Sequence, residues 1–485
     1  MGFRRRANMR NLKILGIFGG GTILLTFASL SWAQPVGGGL AQSISPDSSG
    51  GESGFTSSVP LAPQYMASPY FMTPFAGGTR LLPALSVVGG YDSNALFGLQ
   101  SGGSDQSLFT KNTPDYFVDT TASLILQHSS SYIEGAVQGS FSSYDYVKNN
   151  DLNYTGWQAG ATAILDKVLK RFISGAGGAV TYNYRKAQQV YAFDPSDPLI
   201  NPTFDPNFNI ARGIQAARAE TTTQTGTATG YYDVSSSVKL RAAYSYSENF
   251  FGVPQRGTIA IGNFFTTKSH SGTLGTDVRI GPADSVGVQY QYTDTRFLAN
   301  DATTDNTGFF NEAFRTHGAT ATWTHLVTSV LTASATGGVT YLLQSQAAGG
   351  AGLAYQGGAS IAWRPRADTV LGITYSRGIY PSFVVGAGPS INDTVTVQAN
   401  HIFSTRLIGS ASVGYAHNTT PGFSQGQNEF TFTTYQASAS LNYQLFRYLY
   451  ATLNYIYGKY DQQFDTQAFN YDRHVVMIGL TTFWR

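Results

Sequence analysis

Apolar and polar residues change places at nearly every step along this chain. From Tyr435 the order puts Tyr435, Ala437, Ala439, Leu441 and Tyr443 on one side of an extended backbone and Gln436, Ser438, Ser440 and Asn442 on the other. After the short link Gln444 to Arg447, Leu449, Ala451, Leu453, Tyr455 and Tyr457 oppose Tyr450, Thr452 and Asn454. Two such runs joined by a short turn predict an antiparallel hairpin. A soluble sandwich would bury the apolar side in a core, whereas an outer-membrane barrel would turn it to lipid and line its interior with the small polar residues. One hairpin leaves both open, and only its repetition separates them.

The repetition starts at Pro83 and runs to the end. Leu85, Val87 and Tyr91 alternate with Ser86, Gly90 and Asp92; Val286, Val288, Tyr290 and Tyr292 alternate with Ser285, Gly287, Gln289 and Gln291. The pattern is weakest from Arg218 to Val234, where threonine fills both faces. Short links, such as His128 to Ser131, Asp166 to Lys170 and Gly281 to Asp284, take turns with long ones, such as Ala95 to Asp115, Val147 to Asp151, Ala187 to Ala217 and Asp461 to Asn470. Eight short and nine long links join eighteen strands, with sixteen as the alternative count. Membrane barrels sort short periplasmic turns from long external loops in this way, and a sandwich has no reason to. The predicted fold is all-β, a transmembrane antiparallel up-and-down barrel.

Composition agrees. Of 485 residues 14% are aromatic, 54 are glycine and 30 are tyrosine, while only 12% are charged, about half the usual share for a soluble domain. No apolar run of about 18 residues follows the N-terminal segment, which excludes helical spans. A net charge of +2 without a basic cluster beyond residue 13 argues against nucleic acid as a partner. Cysteine is absent, so disulfides and thiolate metal sites are excluded.

Three segments are expected. Arg4, Arg5, Arg6, Arg10 and Lys13 precede an apolar stretch from Ile14 to Leu30 and the small-residue end Ser31-Trp32-Ala33, a secretory signal peptide over residues 1–33. Residues 34–82 are rich in Gly, Ser and Pro and read as a disordered periplasmic arm, or as a plug or docking segment through Tyr65, Met66, Tyr70, Phe71, Met72 and Phe75. Residues 83–485 form the barrel, placed in the bacterial outer membrane among lipid and lipopolysaccharide.

Two stretches carry a resemblance. Leu85 to Asn94 ends in Tyr91-Asp92-Ser93-Asn94 and is followed by Ala95-Leu96-Phe97. It resembles the opening strand of the outer-membrane families called β-barrel porin 2, some of whose members are associated with exopolysaccharide or exosortase systems. The resemblance implies an outer-membrane barrel linked to polysaccharide export or envelope assembly. The final strand, Tyr471 to Arg485, with Val476, Ile478, Leu480 and Trp484 on one face, resembles the C-terminal signature recognised by the barrel assembly machinery, except that Arg485 makes the aromatic penultimate.

No enzyme is expected. The seven histidines, His128, His270, His317, His325, His401, His417 and His474, are scattered without a serine or acid motif, and no cofactor or metal site is read from the sequence. Acidic loop clusters around Asp194, Asp197 and Asp205, or Asp301 and Asp305, contain the oxygens calcium needs, but Asp-Pro also simply starts turns. The remaining candidates line the lumen. Parity turns Glu134, Lys239, Arg241, Asp277 and Arg279 away from their apolar neighbours, and an Arg or Lys in the lipid midplane would cost about 2 to 4 kcal/mol. Gln289, Gln291 and Gln436 add neutral hydrogen-bonding groups, suited to small polar solutes or saccharides. The charges read either as a selective constriction or as a salt-bridged filling. A porin-like channel is the expected function, with a plugged or structural barrel, an outer-membrane hydrolase and a secreted soluble β-protein as alternatives.

Overall fold

A computed structural model describes residues 78–95, 114–190, 218–254, 266–298, 313–343, 351–380, 390–420, 430–464 and 467–483. The first six strands are β1 (Gly78–Asp92), β2 (Asp115–Ser129), β3 (Glu134–Tyr146), β4 (Tyr154–Ile164), β5 (Ala176–Val190) and β6 (Arg218–Asp233). Next come β7 (Val238–Pro254), β8 (Thr266–Arg279), β9 (Asp284–Leu298), β10 (Ala313–Thr328), β11 (Leu331–Leu343) and β12 (Ala351–Arg366). The last are β13 (Thr369–Tyr380), β14 (Ser390–Ser404), β15 (Leu407–Thr420), β16 (Phe430–Phe446), β17 (Leu449–Phe464) and β18 (Gln467–Phe483). Each strand pairs antiparallel with the next, and β1 pairs with β18, so the eighteen-stranded sheet closes on itself. Closure removes both free edges and gives every ladder a partner, which a lipid-embedded sheet requires.

In a closed cylinder side chains diverge outside and converge inside, and burial follows that geometry. Leu85, Val87, Leu124, Leu274, Val288, Ile361, Val413, Leu453 and Ile478 are exposed, while Ser86, Thr121, Thr320, Thr394, Ser440 and Thr452 on the alternate positions are buried. The greasy face is therefore the outer one. Hydroxyls meet across the strands on the inner face: Ser410 with Ser440 at 2.6 Å, Ser412 with Ser438 at 2.7 Å, Ser334 with Ser360 at 2.7 Å and Thr322 with Thr336 at 3.0 Å. Small paired hydroxyls let neighbouring strands approach inside the curve while one hydroxyl of each pair donates to the other.

The structure differs from the sequence reading in several places. β1 starts at Gly78, five residues before Pro83, because Gly78 to Leu82 already pair with Ser129 to Ile125. Asp461 to Asn470, expected as a long loop, are largely strand: β17 extends to Phe464, opposite Gln467. The link expected at Asp166 to Lys170 is a helix, α1 (Asp166–Phe172), with Asp166 in its first turn and Lys170 and Arg171 in its last, as the helix dipole favours. Asp166 also accepts from the Gly178 N–H at 2.8 Å and the Tyr231 hydroxyl at 2.6 Å, which ties α1 to β5 and β6. The threonine-rich stretch is regular strand β6, in continuous register with β5. Residues 1–77, the acidic loops and Trp484 lie outside the described residues.

Candidate functional site

The inner wall has three distinct sectors. The first is the closing seam, where the Tyr91-Asp92-Ser93-Asn94 stretch meets β18. Asp92 forms an ion pair with Arg473, both side chains fully buried, with Arg473 Nε 2.9 Å from Asp92 Oδ1. The same carboxylate accepts from the Asn94 N–H at 3.0 Å. Ser93 N–H donates to the His474 carbonyl at 2.9 Å, and His474 N–H donates back to Ser93 Oγ at 2.8 Å. The motif is thus a clasp between the first strand and the last. Around it Val88, Phe117, Tyr144, Tyr146, Leu152, Val475 and Met477 form a dry cluster on the inner face. Phe117 stacks on Tyr144 with centroids 4.7 Å apart, and Tyr144 on Tyr154 at 5.2 Å.

The second sector, on β7 and β8, holds most of the charged candidates. Arg241 pairs with Asp277, and both are largely buried. Lys239 lies 3.4 Å from Asp233 and 4.6 Å above the Tyr231 ring. Arg279 ends β8 opposite Ser285. Gln289 follows on β9 beside Gly275, and Gln291 donates to Ser271 Oγ at 3.2 Å. Glu134 sits apart from these, at the start of β3, paired with Lys167 of α1, whose ammonium also donates to the Ser130 carbonyl at 2.7 Å. Its position makes it a clamp on the helix at the short-turn end.

The third sector is the inner face of β16 and β17, neutral and polar. Gln436 is 2% exposed, and neither its Nε2 nor its Oε1 has a hydrogen-bond partner among the described residues. The same is true of Thr434 Oγ1, Asn442 Oδ1 and Asn454 Oδ1. Ser440 faces Asn454 across the ladder, one pair from Asn442 and Thr452, so these groups share one stretch of wall. Buried polar atoms left unpaired are costly and mark places where water or a solute completes the bonding.

Sequence reasoning named Gln436 but passed over Asn442 and Asn454 as ordinary wet-face residues, and it missed the Asp92–Arg473 pair. Parity held the signal for that pair: Arg473 opposes Val476 and Ile478 on β18, as Asp92 opposes Leu85 and Val87 on β1.

All seven histidines lie on the outer face, in two tiers. Toward the long loops His270, His317 and His474 bond through Nδ1 to the hydroxyls of Tyr244, Tyr290 and Tyr455 at 2.7 to 2.9 Å. Each also lies against a second tyrosine, Tyr246, Tyr292 or Tyr457. His417 meets Thr433 at 3.0 Å in the same tier. Toward the short turns His128 contacts Thr79 at 2.9 Å, His401 contacts Thr369 at 2.8 Å, and His325 contacts Asp284 at 2.8 Å, where Trp323 Nε1 also donates at 2.9 Å. Amphipathic rings at two levels bracket the apolar band, as interfacial girdles do. Among the described residues no group of three His, Cys, Asp or Glu side chains is placed to hold a metal ion.

Residues 351–483 match the family model described as "Putative beta-barrel porin 2". Among solved structures the chain is similar to the siderophore receptor PirA from Acinetobacter baumannii, with 8% identity and a TM-score of 0.42 over 83% of this chain and 80% of that one. It is also similar to the outer membrane channel DcaP of Acinetobacter baumannii, with 13% identity and a TM-score of 0.39 over 87% of this chain and all 100% of that one. No curated protein matches it.

Proposed function

From a closed outer-membrane β-barrel whose C-terminal part matches a porin family, we propose a passive conduit for small polar solutes, neutral saccharides above all. The observation that carries this reading is the β16–β17 wall, where Gln436, Asn442 and Asn454 present amide atoms unpaired among the described residues. A wall of neutral amides and hydroxyls can hydrogen-bond a hydroxylated solute without selecting for charge, whereas the Arg241–Asp277 pair neutralises itself. In this reading Lys239, Arg279, Gln289 and Gln291 line the same path, residues 1–33 direct export, and residues 34–77 form a periplasmic arm.

Reconstitution tests it. Steady single-channel steps in planar bilayers, with liposome swelling in neutral sugars slowed by Gln436→Leu combined with Asn454→Leu, are the expected results. A second reading, a closed barrel serving polysaccharide export or envelope assembly, draws on the dry cluster that fills the inner face at the seam. Silent bilayers and no swelling would favour it and overturn the conduit.

A further inference from the structure

The outer face carries a charged tier just beyond its Tyr and His tier on the long-loop side. Three registered strands show the order. Read from the short turns, β9 presents Val286, Val288, Tyr290, Tyr292, Asp294 and Arg296 outward; His317 and then Arg315 follow on β10, and His270 and then Lys268 on β8. At about 3.3 Å per residue on a tilted strand, this tier falls immediately outside an apolar band about 25 Å tall, at headgroup level.

Charge in this tier is uneven around the cylinder. On β13 and β14 Arg377 is matched one to one by Asp393, which it contacts at 3.0 and 3.2 Å. On β17 and β18 Lys459 stands with two carboxylates, Asp461 at 3.7 Å and Asp472, its register partner. Only the β7–β10 sector holds an excess of cations among these clusters. Lys268 lies directly opposite Arg296, and Arg315 opposite Asp294. Their carboxylates are Glu248, 3.0 Å from Lys268, and Asp294, which takes Arg296 at 3.2 Å and Arg315 at 3.6 Å. Asp294 is 13% exposed while the Arg296 and Arg315 side chains are 60% and 50% exposed, so the carboxylate sits beneath and holds two guanidinium groups outward like a fork. Each guanidinium has five N–H donors, and one carboxylate shared between two arginines leaves most of them unspent.

We propose that Lys268, Arg296 and Arg315 bind the phosphate of a phosphorylated lipid headgroup in the outer leaflet. Three cations clustered on adjacent strands match a phosphate oxyanion, bidentate contacts from arginine suit its geometry, and the histidine and tyrosine tier below borders the acyl chains. A lipid is the source the position selects, because the site faces the bilayer instead of the lumen. The inference stands apart from the conduit reading and does not depend on it.

The test uses the purified full-length barrel in detergent. Native mass spectrometry and thermal shift are read with a diphosphorylated glycolipid, with the same lipid dephosphorylated, and with inorganic phosphate. The expected result is retention and stabilisation by the phosphorylated lipid only, weakened by at least about tenfold in Arg296→Gln/Arg315→Gln. Arg377→Gln, in the balanced sector, should bind as the unsubstituted protein does. Equal binding of the dephosphorylated lipid, or an undiminished affinity in the double variant, would overturn the proposal. Inorganic phosphate producing the full effect alone would reassign the site to free phosphate and overturn its lipid assignment. Should the double variant fail to fold, the three-ligand comparison on the unsubstituted barrel still decides.

Discussion

Two stretches of inner wall follow the same alternation and are built from opposite materials. At the seam, β18, β1, β2 and β3 turn Phe117, Tyr144, Tyr146, Val88, Val475 and Met477 inward around one buried ion pair. Across β14 to β17 the inward positions include Thr394, Thr396, Ser412, Ser438, Ser440 and Asn454, mostly small and polar, with Ala416, Tyr450 and Ile456 as apolar exceptions. The seam has to join strands nearly four hundred positions apart in sequence, as in the Val87 to Leu480 pair, without a turn to bring them together. Closing so long a loop costs chain entropy, and a dry cluster with a desolvated clasp offsets it. β14 to β17 are joined in sequence order and need no such adhesive, so their wall is free to stay polar. Where the fold closes itself the interior is committed to stability, and where local hairpins suffice it stays polar.

The largest expected effects fall on the seam. Asp92→Ala strands Arg473 in a buried site and should cost about 3 to 5 kcal/mol, read as a loss of heat-modifiable migration and a lower urea midpoint in detergent. Replacing both partners with leucine should recover much of that loss, since an apolar pair carries no desolvation penalty. Phe117→Ala opens a cavity against Tyr144 and should cost about 3 to 5 kcal/mol by the same urea titration. An intermediate effect is expected outside the wall: Ile478→Arg places a charge in the acyl region for about 2 to 4 kcal/mol, most at the midplane. The smallest is Ser438→Ala on the polar wall, which removes one hydroxyl pair with Ser412 and should cost about 1 kcal/mol. If Ser438→Ala proved as damaging as Phe117→Ala, the distinction between an adhesive sector and a polar one would fail.

Much of this was legible in the sequence because a barrel strand reports its two faces at every step. The outward set from Leu85 to Leu480 follows from alternation, and the strand count and antiparallel order from the way short and long links take turns between the alternating runs. What escaped depends on contacts between distant strands. Asp92 and Arg473 are each unremarkable charges of inward parity until β1 and β18 are brought together. α1 escaped because seven residues are too few for a helical period to stand out against a turn. The end of β17 was misread because Asp461, Gln462, Gln463 and Asp465 resemble loop chemistry, although the ladder carries pairing from Asp461 through Phe464. The histidines looked scattered in sequence, and they form two tiers only once the register sets His270 beside Tyr246 and His317 beside Tyr292.

The central question is which face of the barrel meets lipid, and a chain without cysteine allows a clean test. Nitroxide labels are placed one at a time through Ser438→Cys, Ala439→Cys, Leu441→Cys and Asn442→Cys in the barrel reconstituted in bilayers, and their collisions with oxygen and with a polar nickel reagent are measured. Labels at 439 and 441 are predicted to show high oxygen and low nickel accessibility, and labels at 438 and 442 low oxygen accessibility. A reversed pattern, or four positions that behave alike, would contradict the assignment of the apolar face to the acyl chains.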